Sequence, residues 1–578
     1  MNAPGDIAAV SAQRGVLALL RHFIETYPGR TFVVVGLLSI AGLAEGFSVL
    51  ALLPLLQIAV GGDGSQGGMI SDVIAQVLSL VGLTPSVGSL LLVIVIGISA
   101  KAAVTLLAMK EAGFAVGRLM TDLRRRLIAA LMEARWSYFV TRPLGIFANA
   151  IGAEAIRAGV TYQQSTRFVA AFIQALVYGV ATFLVSWKVA AFAVFAGLIG
   201  VFAFRKVVAV ALASGERQTD LMKSLSARTT DTLQGIKPIK AMAAEKSALP
   251  LLDREIRELD ETQRSQVWSA EILRVTQEPL LVVFLAIAIY GAVAIGGETL
   301  PALMVIAALF YRLFNRFQVM QEIWHQIGIG ASAYWSILRL CEETEREGEQ
   351  KRAVRSIQGS VPEIALASVS FDYPDKQVLR DVSLRIGPGE FVAISGPSGG
   401  GKTTLLDIVS GLLLPSAGRV LIGGDDLRQL DLRSWRSRIG YVPQELLLLH
   451  DSVYQNICLA DTTISRAQAE EALRAAGVWD VVASLPDGLD AMVGERGSRF
   501  SGGQRQRISL ARALVRKPSI LLLDEITASL DKETARAVCA TLRQLAGKMT
   551  IIAVSHQSVM TEAADRVIRL DHGVLTAA

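Results

Sequence analysis

The first three-fifths of the chain is a succession of long apolar runs separated by polar stretches. A bilayer core needs about 20 apolar residues per helix. Six stretches reach that length, some only with a polar interruption. They are residues 31–60, with Glu45 and Pro54; 88–109, with Lys101; 168–186; 189–210; 279–296; and 301 to about 321, which becomes more polar towards its end. Only Trp187 and Lys188 separate the third and fourth runs, which predicts a helical hairpin.

The polar stretches orient these runs. Residues 61–87 and 297–300 hold no Lys or Arg, and the turn between the third and fourth runs holds only Lys188. Residues 110–167 and 205–277 are rich in both, including Arg124, Arg125 and Arg126. Positive charge stays in the cytoplasm. Both chain ends and both long loops are therefore expected there, in a multi-pass protein of the bacterial inner membrane. Each long loop reads as helical with few breakers. Out-and-back helical arms of roughly 25–35 residues would reach about 40–50 Å into the cytosol. The expected turning points are residues 141–145 (TRPLG) and 215–225. Such arms are either stabilising stalks or the surfaces a motor pushes on.

After the sixth run the pattern changes. Residues 342–360 (EETEREGEQKRAVRSIQGS) have almost no apolar content and read as a linker. Beyond them, short β-like runs at 391–395, 520–523 and 550–554 alternate with helical segments, which predicts an α/β domain. The expected organisation is an all-α six-helix transmembrane domain over 1–341, a linker over 342–360, and an α/β nucleotide-binding domain of the phosphate-loop type over 361–578.

Composition adds exclusions. The hydrophobic fraction is 52% and the charged fraction 19%, but the apolar excess lies almost entirely before residue 328. The net charge of +5 is small for 578 residues, and no basic cluster is interleaved with aromatics, so nucleic acid is not an expected partner. Cys341, Cys458 and Cys539 are far apart and form no CxxC, as expected of reduced thiols. The first 30 residues lack a basic segment, short apolar core and cleavage site, so the first apolar run reads as a retained span.

The chemistry is concentrated in the C-terminal part. Residues 396–403 read GPSGGGKT, which fits G-x-x-x-x-G-K-[ST] between an apolar strand (FVAIS) and a helix (TLLDIV). Gly396, Ser398, Gly399 and Gly401 let backbone N–H groups turn around phosphates. Lys402 offers charge to the β- and γ-phosphates, and the Thr403 hydroxyl can ligate Mg²⁺. Some 120 residues later, ILLLDE ends in Asp524, placed for the Mg²⁺ shell, and Glu525, placed to polarise an attacking water.

Between these lies FSGGQRQR at 500–507. Its first five residues resemble the LSGGQ signature of ATP-binding cassette proteins, and the whole chain resembles an ABC transporter of the exporter type. The resemblance implies a nucleotide contact that includes Thr404. It implies that Tyr373 (FDYP) stacks on adenine and that Gln444 (YVPQ) senses Mg²⁺ and the γ-phosphate. It matches Glu495 (VGERG) to an acidic loop, Asp531 (ASLD) to a loop addressing the opposite site, and His556 (VSHQ) to the γ-phosphate. It further implies that Ser501, Gly502, Gly503 and Gln504 close on ATP held by a second copy. Phe500 replaces the usual Leu, ASLD the common SALD, and Gln557 a frequent Arg; none removes a catalytic group. Since Glu525 and His556 are both present, two copies would make two competent sites, which favours a homodimer.

The expected function is an ATP-hydrolysing exporter or flippase for an amphipathic substrate, with ATP and Mg²⁺ as cofactors and membrane lipid as surroundings. The alternative is an ATP-gated channel or regulator on the same architecture. Glu45, Lys101 and Arg312 fall near the middle of their spans, with Asn315 and Arg316 a turn or less further on. Charges there usually face the bundle interior. They form either a polar, positively charged substrate path suited to an anionic lipid, lipid-linked or peptide cargo, or an internal Glu45–Lys101 pair with an arginine reaching for the cytosol.

Overall fold

The computed structural model describes residues 16–59, 76, 78–79, 84, 86–294, 300–349, 361–528 and 530–577. Residues 297–299 of the turn expected at 297–300, most of the 61–87 segment and linker residues 350–360 lie outside these. The chain forms two compact units: Met1–Ala134 with Thr141–Gly348, and Glu349–Ala578, with which Arg135–Val140 is grouped.

The first unit is helical. Helix α1 (Val16–Thr26) precedes α2 (Pro28–Leu50), which starts with Pro at its first position and is continued by Leu52–Ala59. Helix α3 (Val87–Glu133) opens on a capping box, in which Ser86 and Ser89 exchange side-chain-to-backbone hydrogen bonds. Leu144–Asn149 and a π-helical turn, Ala150–Glu154, lead into α4 (Ala155–Val185). Extended backbone at Ser186 separates α4 from α5 (Trp187–Ala203), at the expected hairpin. Helices α6 (Arg205–Gln234), α7 (Pro250–Ala294) and α8 (Leu300–Arg346) follow.

These helices are inside-out by the standards of a soluble bundle. On α2 the buried stripe includes Thr31, Val34, Leu38, Ala41, Glu45 and Ser48, while Phe32, Val33, Ile40 and Leu43 face outwards. On α3, Leu91, Leu92, Val95, Ile96, Leu106 and Leu107 are exposed. Apolar side chains outside and polar ones inside suit hydrocarbon surroundings. Among the described residues, five helices are long and apolar enough to cross a membrane, and a sixth if α5 and α6, bent by 45°, count as one. The chain is a multi-pass membrane protein.

Most helices run well past their apolar runs. The first reversal lies between the end of α3 and Pro143, around the short helix Trp136–Val140, and so includes part of the expected turn at 141–145. The second does not fall at 215–225. Helix α6 passes through that segment without a break, and the chain turns at Gly235 and the short helices Ile236–Ala241 and Glu245–Ala248. Gly215 serves close packing instead: a Cβ there would stand 2.5 Å from the carbonyl oxygen of Ile329 on α8. Helix α8 also continues to Arg346, so the first residues assigned to the linker are its last turn. Arg126 of α3 grips Glu345 with two hydrogen bonds of 2.7 and 2.8 Å, and Arg142 pairs with Glu343 at 3.1 Å.

The second unit carries two sheets. Strands β1 (Ile364–Tyr373), β2 (Lys376–Ile386), β4 (Ala417–Ile422) and β5 (Asp425–Asp426) form an antiparallel sheet in the order β2-β1-β4-β5. A second sheet has the order β10-β9-β3-β8-β7-β6. Its strands β3 (Phe391–Ser395), β6 (Ile439–Val442), β7 (Ile520–Asp524), β8 (Thr550–Val554) and β9 (Arg566–Asp571) are parallel, and β10 (Val574–Ala577) is antiparallel at the edge. Every residue of β7 and β8 is buried, as a central parallel strand covered on both faces requires. One hydrophobic core joins Phe391, Leu521 and Ile551 of this sheet to Ile457, Leu473, Val482 and Ile508, and so supports a helical lobe that includes Phe500. Both expected fold classes are present.

Candidate functional site

The parallel sheet delivers three chain segments to one place from the ends of β3, β7 and β8. After β3 the chain turns at Gly396 (φ 143°), where a Cβ would stand 1.9 Å from the Leu570 carbonyl oxygen. Ser398 and Gly399 are exposed on the loop, and Gly401 (φ 96°) caps α9 (Lys402–Val409). Lys402 is buried and folds back to donate to the carbonyls of Gly396 and Pro397, both at 2.9 Å. Thr403 is exposed, and Thr404 beside it is buried.

Strand β7 brings the acids. The Thr403 hydroxyl donates to Asp524 at 3.3 Å, setting two oxygens side by side at the start of α9. Burial pushes the Asp524 carboxyl up and the Lys402 ammonium down. Glu525 takes the left-handed conformation, φ 48°, which residues with a Cβ normally avoid. Its N–H is held by the Val554 carbonyl of β8 at 3.0 Å. Its carboxylate meets three groups: Gln444 Nε2 at 2.9 Å, His556 Nε2 at 3.2 Å and Lys402 Nζ at 3.9 Å. The structure thus brings Lys402, Thr403, Gln444, Asp524, Glu525 and His556 together.

The other residues singled out in the sequence stand elsewhere. Tyr373 ends β1 and packs edge-on against Phe371, centroids 5.0 Å apart. Ser501 caps α10 (Gly502–Leu514) through a capping box with Gln504, so the polar groups of the signature bond one another. A Cβ on Gly502 would meet open space, while one on Gly503 would press on Thr534. Asp531 caps α11 (Lys532–Leu545), and hydrogen bonds from Thr534 above all, with the N–H of Glu533, hold its carboxyl below the usual range. Glu495 is exposed in a 3₁₀ turn, and Phe500 is buried in the helical lobe.

The donor set fits ATP with Mg²⁺. A glycine-turned loop opens a helix N-terminus, a buried lysine reaches over it, and a hydroxyl and a carboxylate offer hard oxygens beside it.

The membrane unit holds a second cluster. Glu45 of α2 is buried and ion-paired with Lys101 of α3 at 2.6 Å, Arg312 of α8 at 3.1 Å and Arg316 of α8 at 3.8 Å. One carboxylate thus faces three cations. The pairing with Glu45 expected as one alternative is present, yet it leaves two positive charges uncompensated within the cluster. The Arg316 guanidinium also lies over the ring of Tyr178, a partner that sequence reasoning missed because one tyrosine in an apolar run carries no signal.

Comparison with known proteins places these sites in context. Residues 39–317 match the family model described as ABC transporter transmembrane region, and residues 379–528 match that described as ABC transporter. The ATP-dependent lipid A-core flippase of Syntrophus aciditrophicus is 30% identical over 465 residues, 79% of this chain and 76% of that protein. The protein of the same name from Chromobacterium violaceum is 36% identical over 282 residues, 48% of each chain. In fold, the chain is similar to a bacterial Atm1-family ABC exporter solved with ATP bound. That similarity has a TM-score of 0.78 and 23% identity, over 97% of this chain and 95% of the other.

Proposed function

The chain belongs to the ABC transporter family, an ATPase coupled to transport, and from that premise we propose that it exports or flips an amphipathic lipid with an anionic head group. It works as a homodimer in the bacterial inner membrane, with both termini cytoplasmic. Relatives named as lipid A-core flippases support a lipid cargo. The observation that carries the anionic head group is the cluster of Lys101, Arg312 and Arg316 around the single carboxylate of Glu45. Arg316 Nε is buried there and, among the described residues, has no hydrogen-bond partner. Unpaired cationic donors inside a bundle favour a phosphate or carboxylate arriving between the helices.

In the cassette, Lys402 and the loop N–H groups hold the β- and γ-phosphates, with Thr404 on the same helix end, and Tyr373 stacks on the adenine. Thr403, Asp524 and Gln444 would hold Mg²⁺, which supplies positive charge to the phosphate oxygens. Glu525 takes the proton of the attacking water, and its contacts with Gln444 and His556 fix the direction of its carboxylate. His556 also faces the γ-phosphate. Ser501, Gly502, Gly503, Gln504 and Asp531 complete the site on a second copy. Binding that is tighter in the closed pair than in the open one drives the change of access.

Purified protein in nanodiscs tests both halves. Anionic amphipathic lipids should stimulate ATPase more than zwitterionic ones. Arg312→Gln should keep basal turnover and lower that stimulation at least threefold. Equal stimulation of variant and wild type overturns the cargo reading. Glu525→Gln should bind ATP and lose turnover by about 10²-fold or more. Retention of over a tenth overturns the assignment of the base.

A further inference from the structure

Gln557 follows His556 and begins the short helix Ser558–Ala563. Its backbone performs the duty of that position: its carbonyl accepts from the N–H of Met560 at 3.1 Å. Its side chain makes no capping bond to the helix. The carboxamide reaches across instead, and Nε2 donates to the carbonyl of Thr527 at 2.9 Å.

That carbonyl lies in the turn between Glu525 and Asp531. It also accepts from the N–H of Leu530 at 3.1 Å, closing the turn that leads into the Asp531 cap. The Glu525 carbonyl accepts from Ala528 at 3.0 Å. Thr527 is fully buried, and its hydroxyl lies 3.4 Å from that of buried Ser555. Ser555 in turn accepts from the Gln557 N–H at 3.1 Å and donates its own N–H to Ile394 of β3. The chain from the end of β8 onwards is therefore stitched to two backbone groups of the segment after β7, besides the Thr527–Ser555 hydroxyl contact. Val554 holds the Glu525 N–H, and Gln557 holds Thr527. The His556–Glu525 contact lies between the stitches.

The left-handed backbone of Glu525 explains why two stitches matter. A residue with a Cβ leaves that conformation unless its surroundings hold it. With Thr527 released, the turn can relax and rotate the Glu525 carboxylate away from His556 and Gln444. A shift of about 1 Å in a reacting group can lower a rate 10²-fold.

We propose that Gln557 is a positioning residue for ATP hydrolysis: its amide N–H pins the Thr527 carbonyl, and so keeps Glu525 aimed at the attacking water. The inference rests on the assignment of Glu525 as the base. What the position needs is a hydrogen-bond donor long enough to reach Thr527.

The experiment measures kcat and KM for ATP in the full-length protein in nanodiscs, with thermal unfolding recorded for each variant. Gln557→Glu keeps the length and loses the donor, and Gln557→Leu loses both polar atoms. Each should lower kcat about tenfold, leave KM within twofold and leave the unfolding temperature unchanged. Gln557→Arg restores a donor and should return kcat to within threefold of wild type. Wild-type kcat in both donor-less variants overturns the proposal. So does a loss carried by KM alone, or a Gln557→Arg variant as impaired as Gln557→Glu. Turnover persisting in Glu525→Gln would overturn the underlying assignment instead, so the two failures are distinguishable.

Discussion

Asp407 lies one helical turn beyond Thr403 on α9, buried in the cassette. Burial, and then the nearby charge of Asp524, raises its carboxyl to about 6. The fold thus favours the protonated form. This group weighs on stability least below the unfolded value near 4. The penalty grows as pH rises through the window from about 4 to 6 and is complete above it. Asp407→Asn should therefore stabilise the nucleotide-free cassette at pH 8, by on the order of 1–3 kcal/mol. The gain should fade as pH approaches 4. Thermal exposure of the buried thiols Cys458 and Cys539 reports the opening of this unit. An equal gain at both pH values would sink the argument. At this scale the sequence was legible where spacing carries chemistry. The residues from 396 to 403 and the pair Asp524 and Glu525 could be named from their order alone. The left-handed backbone of Glu525 and the reach of Gln557 to Thr527 could not, because both depend on strands distant in sequence being brought side by side.

Among the elements, the membrane helices were legible because length and hydropathy suffice to mark a span. Their polar continuations were harder to read. Gly215 resembles a turn signal within a polar stretch, but α6 is continuous there and the glycine admits the backbone of α8. The actual break follows Gly235, with Pro238 in the short helix beyond it. A helix-packing glycine and a turn glycine look alike until the neighbour is known. Gly215→Val should push α6 and α8 apart and destabilise the membrane unit by about 1–3 kcal/mol. A fall of several degrees in the unfolding temperature in detergent, with nucleotide affinity retained, is the expected result. An unchanged temperature would show that the crossing yields freely. The start of the linker was misjudged for a related reason: the charged residues after Cys341 look solvated, yet Glu343 and Glu345 are held by Arg142 and Arg126 as the end of α8.

For the whole molecule, the proposed sharing of the nucleotide site between two copies makes a demand on Ser501 that its local role does not. Its side chain caps α10, and Asp is as good a cap as Ser. Ser501→Asp should therefore preserve the fold and the ATP affinity of each cassette, while its carboxylate repels the γ-phosphate presented by the second copy. Turnover should fall at least tenfold, and ATP should no longer bring labels on the two copies together. Normal ATP-dependent approach of the labels would contradict a site shared between copies. The length of the helices has a mechanical consequence as well. With 47 residues, α3 is a rod of about 70 Å, of which about 30 Å fits the hydrocarbon core. Pivoted at the midplane, about 15 Å from its Val87 end, a tilt of roughly 10° carries the Glu133 end about 10 Å and the Val87 end about 3 Å. The stroke is geared down about fourfold, trading travel for force. Lys101 lies only about 21 Å from the Val87 end, near the fulcrum. Charges at a fulcrum barely move, so in the proposed transport cycle a head group held there would keep its ion pairs while the doors on either side take turns to open.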